Sequence, residues 1–142
     1  MAPYERLFSR KIRETLDFIK GGYKVLYIFD NKIPIAYCTI VKGGGRYKFS
    51  TKQDIIICNV WVRPESRGKG IAKELYKYLL NNMNLKYQRA YAFIPNDNLP
   101  SIKTVLKIGF QKISDADRVG ILKIIKKQNN GHLGIYSYVS KK

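Results

Sequence analysis

The chain has 142 residues, with 27 Lys and Arg against 10 Asp and Glu, giving a formal net charge of +17. That length supports one self-sufficient core, read as a single domain over residues 1–142, and 45% hydrophobic residues excludes a disordered basic tail or a multidomain assembly. The purest apolar run, residues 55–62, is far shorter than the roughly 20 residues of a membrane helix. Glu5, Arg6, Arg10, Lys11 and Arg13 interrupt the start of the chain, so no secretory leader and a cytoplasmic location are expected.

Residues 4–20 place Leu7, Ile12, Leu16 and Ile19 at near-helical spacing, and Gly21-Gly22 stops the pattern, which predicts a first helix. Two β-branched and aromatic runs, 23–29 and 33–41, flank Asp30-Asn31-Lys32 and predict a hairpin. After a glycine turn at 43–45, strand character resumes over 47–51 and over 54–62, the latter apolar enough for burial on both faces. From Gly68 the period changes: Ile71, Leu75, Leu79 and Met83 recur every four residues, predicting a helix to Asn81-Asn82. A strand over 87–94 follows, then a helix capped by Asn98 and stopped by Gly109, so strand, helix, strand, helix implies a parallel strand pair. The remaining runs, 110–113, 121–125 and 133–139, read as strands around a polar turn at 126–131, although 121–127 also fits a helix.

The positive charge is spread, at +6, +4 and +7 over residues 1–50, 51–100 and 101–142, so it describes an anion-attracting surface without naming a partner. Cys38 and Cys58 lie in apolar strand runs and read as reduced buried thiols; with His132 the only histidine, no metal site is expected. His132 reads as an exposed loop residue, Gly43-Gly44-Gly45 as a flexible hairpin, and the Trp61 side chain as core in preference to lining for an acyl pocket.

The stretch from Val60 to Ala72 carries the chemistry. A buried strand runs through a Pro64-marked turn into a glycine-rich helix entry, where backbone N–H groups stay free at the positive end of the helix dipole and an anion can approach closely. No Gly-Lys-Ser/Thr follows, which excludes a Walker loop, and the third glycine of a dinucleotide fingerprint is missing.

Arg67-x-x-Gly70-x-Ala72 after Val62-x-Pro64, together with Asn98-x-x-Ser101 and Gly109-Phe110, resembles the GNAT superfamily of acyl-CoA-dependent N-acetyltransferases, most strongly over residues 54–113. The resemblance implies an α+β fold: a mixed central sheet flanked by helices and splayed between the strand ending at Val62 and the strand over 87–94. It further implies that acetyl-CoA lies in the gap. Backbone groups of Val60, Trp61 and Val62 would pair with the pantetheine arm, and an N–H there would hold the oxyanion. The amides of Arg67, Gly68, Lys69, Gly70, Ile71 and Ala72 would hold the pyrophosphate, and Asn98, Ser101 and Lys107 would meet the coenzyme from the other side.

Two features depart from the family pattern. Val105 stands where many members place a tyrosine acid, and Cys58-Asn59 where many carry a glutamate base. Tyr47, Tyr91, Tyr136 and Tyr138 are candidate substitutes, none of them singled out, so the catalytic residues stay unassigned. Without a strong base, an amine of pKa about 8 suits the chain better than one near 10.4, and so few acids disfavour a polycationic acceptor. The expected substrate is therefore a small anionic amine, for which an amino-sugar nucleotide is one form, in keeping with a resemblance to sugar-modifying members. Nucleic acid is a less favoured partner: a basic RNA-associated protein or a tRNA-acetylating enzyme remains an alternative, as does a silent acyl-CoA-binding domain. The chain is expected as a monomer or a homodimer.

Overall fold

The computed structural model of the chain describes residues 22–83, 85–121 and 123–141; the helix expected over 4–20 lies outside them. Seven strands, β1 (Lys24–Asp30), β2 (Ile33–Lys42), β3 (Ile55–Val62), β4 (Arg89–Pro95), β5 (Gln111–Val119), β6 (Ile124–Lys127) and β7 (Leu133–Val139), form one sheet in the order β1-β2-β3-β4-β7-β5-β6. Helix α1 (Ile71–Asn81) follows β3 and helix α2 (Leu99–Ile108) follows β4. The sheet is antiparallel except for β3 and β4. The fold is thus the mixed α+β architecture expected from the sequence. No helix among the described residues is long and apolar enough to cross a membrane.

The parallel pair is short. It runs from Ile55 opposite Ala90 to Ile57 opposite Ala92 and stops. The cause lies two residues further on, where Asn59 takes a left-handed φ of 52° and the β2–β3 register slips between Tyr37–Trp61 and Thr39–Cys58. Such a bulge bends its strand and ends pairing on the far side, and asparagine tolerates the conformation better than a β-branched residue. Asn59 Nδ2 also reaches Thr39 Oγ1 at 3.4 Å. From Cys58 onward β3 therefore leaves β4, and a gap opens at the carboxyl ends of both strands.

Each face of the sheet has its own core. Alternation sends Ile55 and Ile57 toward the helices, where Leu75, Leu79, Val105 and Phe110 pack with Cys38 and Ala92. Ile56 faces the opposite way, into Val41, Tyr47, Tyr91, Ile125 and Ile135. Burying residues of both parities explains the continuous apolar run of β3. In α1, Leu75, Tyr76, Leu79 and Leu80 form the buried face, as two pairs one turn apart.

Residues 47–51, expected as a strand, form turns, with one isolated bridge inside the loop, Gly44–Tyr47, and one to β6, Tyr47–Ile125. Tyr47 is almost fully buried, so its aromatic character reflects a loop plug in the second core and not strand pairing. The glycines at 43–45 are correspondingly not a loose hairpin. Gly43 N donates to Asp54 O, Gly44 N donates to Ser50 Oγ, and a Cβ on Gly43 would collide with Thr51 O.

Asp54 is the anchor of this loop. Buried, it accepts Thr51 N at 2.8 Å and Thr51 Oγ1 at 2.9 Å through Oδ2, and Arg89 N at 3.1 Å through Oδ1. Asp54→Ala leaves these donors without an acceptor and is expected to lower unfolding stability by about 2–4 kcal/mol; Asp54→Asn retains one acceptor and loses less. Urea denaturation of the two variants checks the order.

The C-terminal half differs from expectation in extent. In place of separate short strands at 110–113 and 121–125, one nine-residue strand covers Gln111–Val119 and a hairpin returns through β6. The polar stretch 114–119 escapes a hydrophobicity reading because only Ala116 faces the core. Its acids are satisfied outside, Asp115 by Lys112 Nζ at 2.8 Å and Asp117 by the exposed His132 at 3.0 Å. Ile121 falls in the connecting turn, 96% exposed. The helical alternative for 121–127 does not form.

Candidate functional site

A cleft of about 700 Å³ lies beside the gap left by β3, bounded by the N-terminus of α1 and by α2. Its wall takes Val60, Trp61 and Val62 from β3, Arg67, Gly68, Gly70, Ile71 and Ala72 from the turn into α1, and Asn98, Ser101 and Lys107 from α2. The structure thus brings onto one surface every residue singled out in the sequence for the coenzyme except Lys69, which is exposed and does not line it. Lys73, Tyr76, Lys103 and Thr104 complete the wall together with Ser66 and Pro100.

The helix entry is built around two left-handed glycines, Gly68 at φ 75° and Gly70 at φ 78°. Ideal Cβ atoms on either would meet nothing within 4 Å, so the corner is open to the cleft and not packed shut. Gly70 is the N-cap and offers no side-chain acceptor; the first helical bond is Glu74 N to Gly70 O at 3.1 Å. The amides of Ile71, Ala72 and Lys73 consequently have no intrahelical acceptor. Arg67 Nε donates to Val62 O at 3.0 Å, which ties the end of β3 to the turn and occupies a carbonyl that the sequence reading assigned to pantetheine. Across the cleft Asn98 Oδ1 accepts Ser101 N at 3.4 Å, capping α2.

The wall carries Arg67, Lys73, Lys103 and Lys107 and no carboxylate. Convergent amides, the positive end of an eleven-residue helix and four cations make an anion site. The donor set suits an extended phosphate ester: amides at one end, apolar strand edge at the other. No group of His, Cys, Asp and Glu able to hold a metal occurs among the described residues.

Trp61 is a correction. Expected in the core, it is half-buried on the cleft wall and stacks on Tyr37 with ring centroids 5.5 Å apart. The four tyrosines considered as acids behave otherwise: Tyr47, Tyr91, Tyr136 and Tyr138 are buried in the two cores and none lines the cleft. Val105 is fully buried on the inner face of α2. The tyrosine that does line the cleft is Tyr76, which sequence reasoning passed over. Its position one residue after Leu75 on the apolar face of α1 gave the signal for core and none for a site.

Cys38 is fully buried and Cys58 half-buried, and they form no disulfide. Burial, reinforced by Cys58, pushes the Cys38 thiol up to about 12, so near pH 8 only about one molecule in ten thousand carries its thiolate. A maleimide or iodoacetamide is therefore expected to leave Cys38 unmodified in the folded protein and to label it after denaturation, as peptide mass spectrometry would read.

A sheet that parts between two parallel strands, with an amide-lined cationic cleft against the helix after each strand, defines an α+β fold whose cleft is suited to an anion. The chain belongs to the acetyltransferase (GNAT) family, which matches over residues 2–110. A comparison with curated proteins finds no match. Among solved structures, the fold is similar to an acetyltransferase from Thermus thermophilus, at TM-score 0.67 and 15% identity over 92% of this chain and 71% of that one. It is also similar to yncA, a putative acetyltransferase from Salmonella typhimurium solved with its cofactor acetyl-CoA, at TM-score 0.61 and 20% identity over 97% and 73%. A third is a microcin self-immunity acetyltransferase solved with acetyl-CoA and AMP, at TM-score 0.63 and 19% identity over 92% and 68%.

Proposed function

We propose that this chain is an N-acetyltransferase that binds acetyl-CoA in the cleft between β3, α1 and α2 and acetylates the primary amine of a small anionic acceptor. The observation that carries the reading is the open corner at Gly68–Ala72, whose amides face a cleft with four cations and no acid. Two similar structures hold acetyl-CoA, which supports the same donor here.

The amides of Gly68, Gly70, Ile71 and Ala72, with Arg67, would hold the diphosphate. Asn98, Ser101 and Lys107 would flank the coenzyme from α2. The main chain of Val60 and Trp61, on the edge that β4 no longer pairs, would align the pantetheine amides and offer an N–H to the developing oxyanion. When bound, acetyl-CoA supplies an activated acyl group: an amine nitrogen forms the new C–N bond, the C–S bond breaks, and the amine proton is balanced by protonation of the sulfur. A thiol of pKa about 8.5 leaves with little assistance, which is consistent with the lack of an obvious strong acid.

An anionic acceptor, such as an amino-sugar nucleotide, is supported by the distribution of charge. Among the described acids, Asp54, Glu65, Glu74, Asp115 and Asp117 are each engaged by a neighbouring donor or cation. On the sheet face away from the helices, Arg118 lies over Phe93 at 5.7 Å and Arg46 over Tyr47 at 4.6 Å. Phe93 is the first β4 residue beyond the parallel pairing, so Arg118 sits near the parting of the strands. The thiols, without a disulfide, suit a reducing cytoplasm.

Calorimetric titration with acetyl-CoA, followed by a panel of amines assayed for thiol release, tests the proposal. Saturable binding and turnover with anionic amines are expected. Binding without turnover across the panel would favour a silent acyl-CoA-binding domain, and salt-sensitive RNA binding with no response to acetyl-CoA would overturn the reading in favour of an RNA-associated protein.

A further inference from the structure

The two ends of the sheet are built differently. At one end β6 is four residues long and finishes in the exposed Lys126 and Lys127. Shortness and lysines blunt a strand edge against pairing with another chain. At the other end β1 runs for seven residues and has neither charge nor proline between Lys24 and Asp30. Alternate residues of an edge strand turn their backbone N–H and C=O outward, so β1 presents an edge able to pair.

That edge is also apolar. Leu26 and Ile28 pack toward the helices, and alternation sends Val25, Tyr27 and Phe29 to the opposite face, where they are 37, 50 and 59% exposed. Tyr27 lies 6.0 Å from Phe29 and 5.9 Å from Tyr37, which stacks on Trp61. The rings form a row from the cleft wall to the edge of the sheet.

The order of residues in β1 indicates the partner that fits. Lys-Val-Leu-Tyr-Ile-Phe-Asp is self-complementary when run antiparallel against itself. About a two-fold axis at Tyr27, Lys24 falls opposite Asp30 of a second copy, Val25 opposite Phe29, Leu26 opposite Ile28, and Tyr27 opposite its equivalent. Lys24 and Asp30 do not meet within one chain, because six residues of strand, about 20 Å, separate them. Sliding the register by two residues keeps the faces matched but parts both charge pairs, so a single register satisfies the ends and the middle together.

We propose that β1 is a homodimer interface, at which a second copy adds its own β1 antiparallel and the sheet continues through a two-fold axis at Tyr27. The proposal is independent of the coenzyme reading. Pairing covers Val25, Tyr27 and Phe29 with one another's equivalents and joins the two aromatic rows into one, with a cleft at each end. Both β1 edges are consumed and β6 is blunted, so association closes at two copies.

Sedimentation velocity of the full chain from about 1 to about 100 µM tests it, and the wild type is expected to pass from monomer to dimer in that range. Lys24→Glu sets like charges opposite each other at both ends of the interface, as does Asp30→Lys, and each is expected to weaken dimerisation by about tenfold. Both positions are exposed, so the fold is retained. The two substitutions move the net charge in opposite directions, so a general charge effect would strengthen one dimer and weaken the other. The double variant Lys24→Glu/Asp30→Lys restores both opposite-charge pairs and is expected to return to within about threefold of the wild type. A wild type that stays monomeric at about 100 µM overturns the proposal, whether the edge is then met by residues 1–21 of the same chain or by another molecule. Species larger than a dimer, single variants that associate like the wild type, or a double variant as weak as the singles overturn it equally.

Discussion

Gly70→Val is expected to weaken acetyl-CoA binding by at least about 100-fold, or about 2.7 kcal/mol, while the fold survives. Two effects separate cleanly at this residue. At φ 78° a Cβ is strained, which costs about 1–2 kcal/mol of stability. The Cβ meets no protein atom within 4 Å, so packing is undisturbed and the new side chain projects into the space a phosphate would use. Gly120→Val is the matched control: φ 74°, equally open, but in the β5–β6 turn. Both variants should lose similar stability in urea, and only Gly70→Val should lose affinity by calorimetry. Affinity of Gly70→Val within about threefold of the wild type contradicts the site.

Phe110→Ala is expected to be the most destabilising of the substitutions considered, by about 3–5 kcal/mol. Phe110 is 2% exposed and lies between Tyr76 of α1 and Tyr138 of β7, with ring centroids 5.7 and 5.4 Å away. Its loss empties the joint between helix and sheet and removes the support that fixes Tyr76. Urea denaturation should show a lower midpoint at similar slope; a loss below about 1 kcal/mol would mean that the neighbours close the cavity. Phe110→Leu, which refills most of the volume, should recover more than half of the loss.

The fold class and the glycine corner of the candidate site were both legible in the chain. The glycine corner announces itself because its chemistry is local: Gly68, Gly70 and the helix entry are consecutive, and backbone amides need no distant partner to face an anion. Asn98 and Gly109 likewise mark the ends of α2 by short-range bonding. What escaped was set by tertiary contacts. The aromatic residues at 47–51 fill a core from a loop, and the polar segment 114–119 is a strand because Lys112 and His132 satisfy its acids. Trp61 is left half-buried because the bulge at Asn59 ends β4 pairing beside it, a consequence of backbone geometry that no hydrophobic pattern records. Tyr76 escaped for a related reason: at an apolar helical position, only the opening of the sheet beyond it distinguishes a cleft wall from a core.

The most direct test is to follow backbone amide resonances of nitrogen-15-labelled protein during titration with acetyl-CoA. New hydrogen bonds to phosphate should move Gly68, Gly70, Ile71 and Ala72 downfield, ahead of every other amide of α1. A saturating titration that perturbs other regions and leaves those four in place would show that the thioester carrier is held elsewhere.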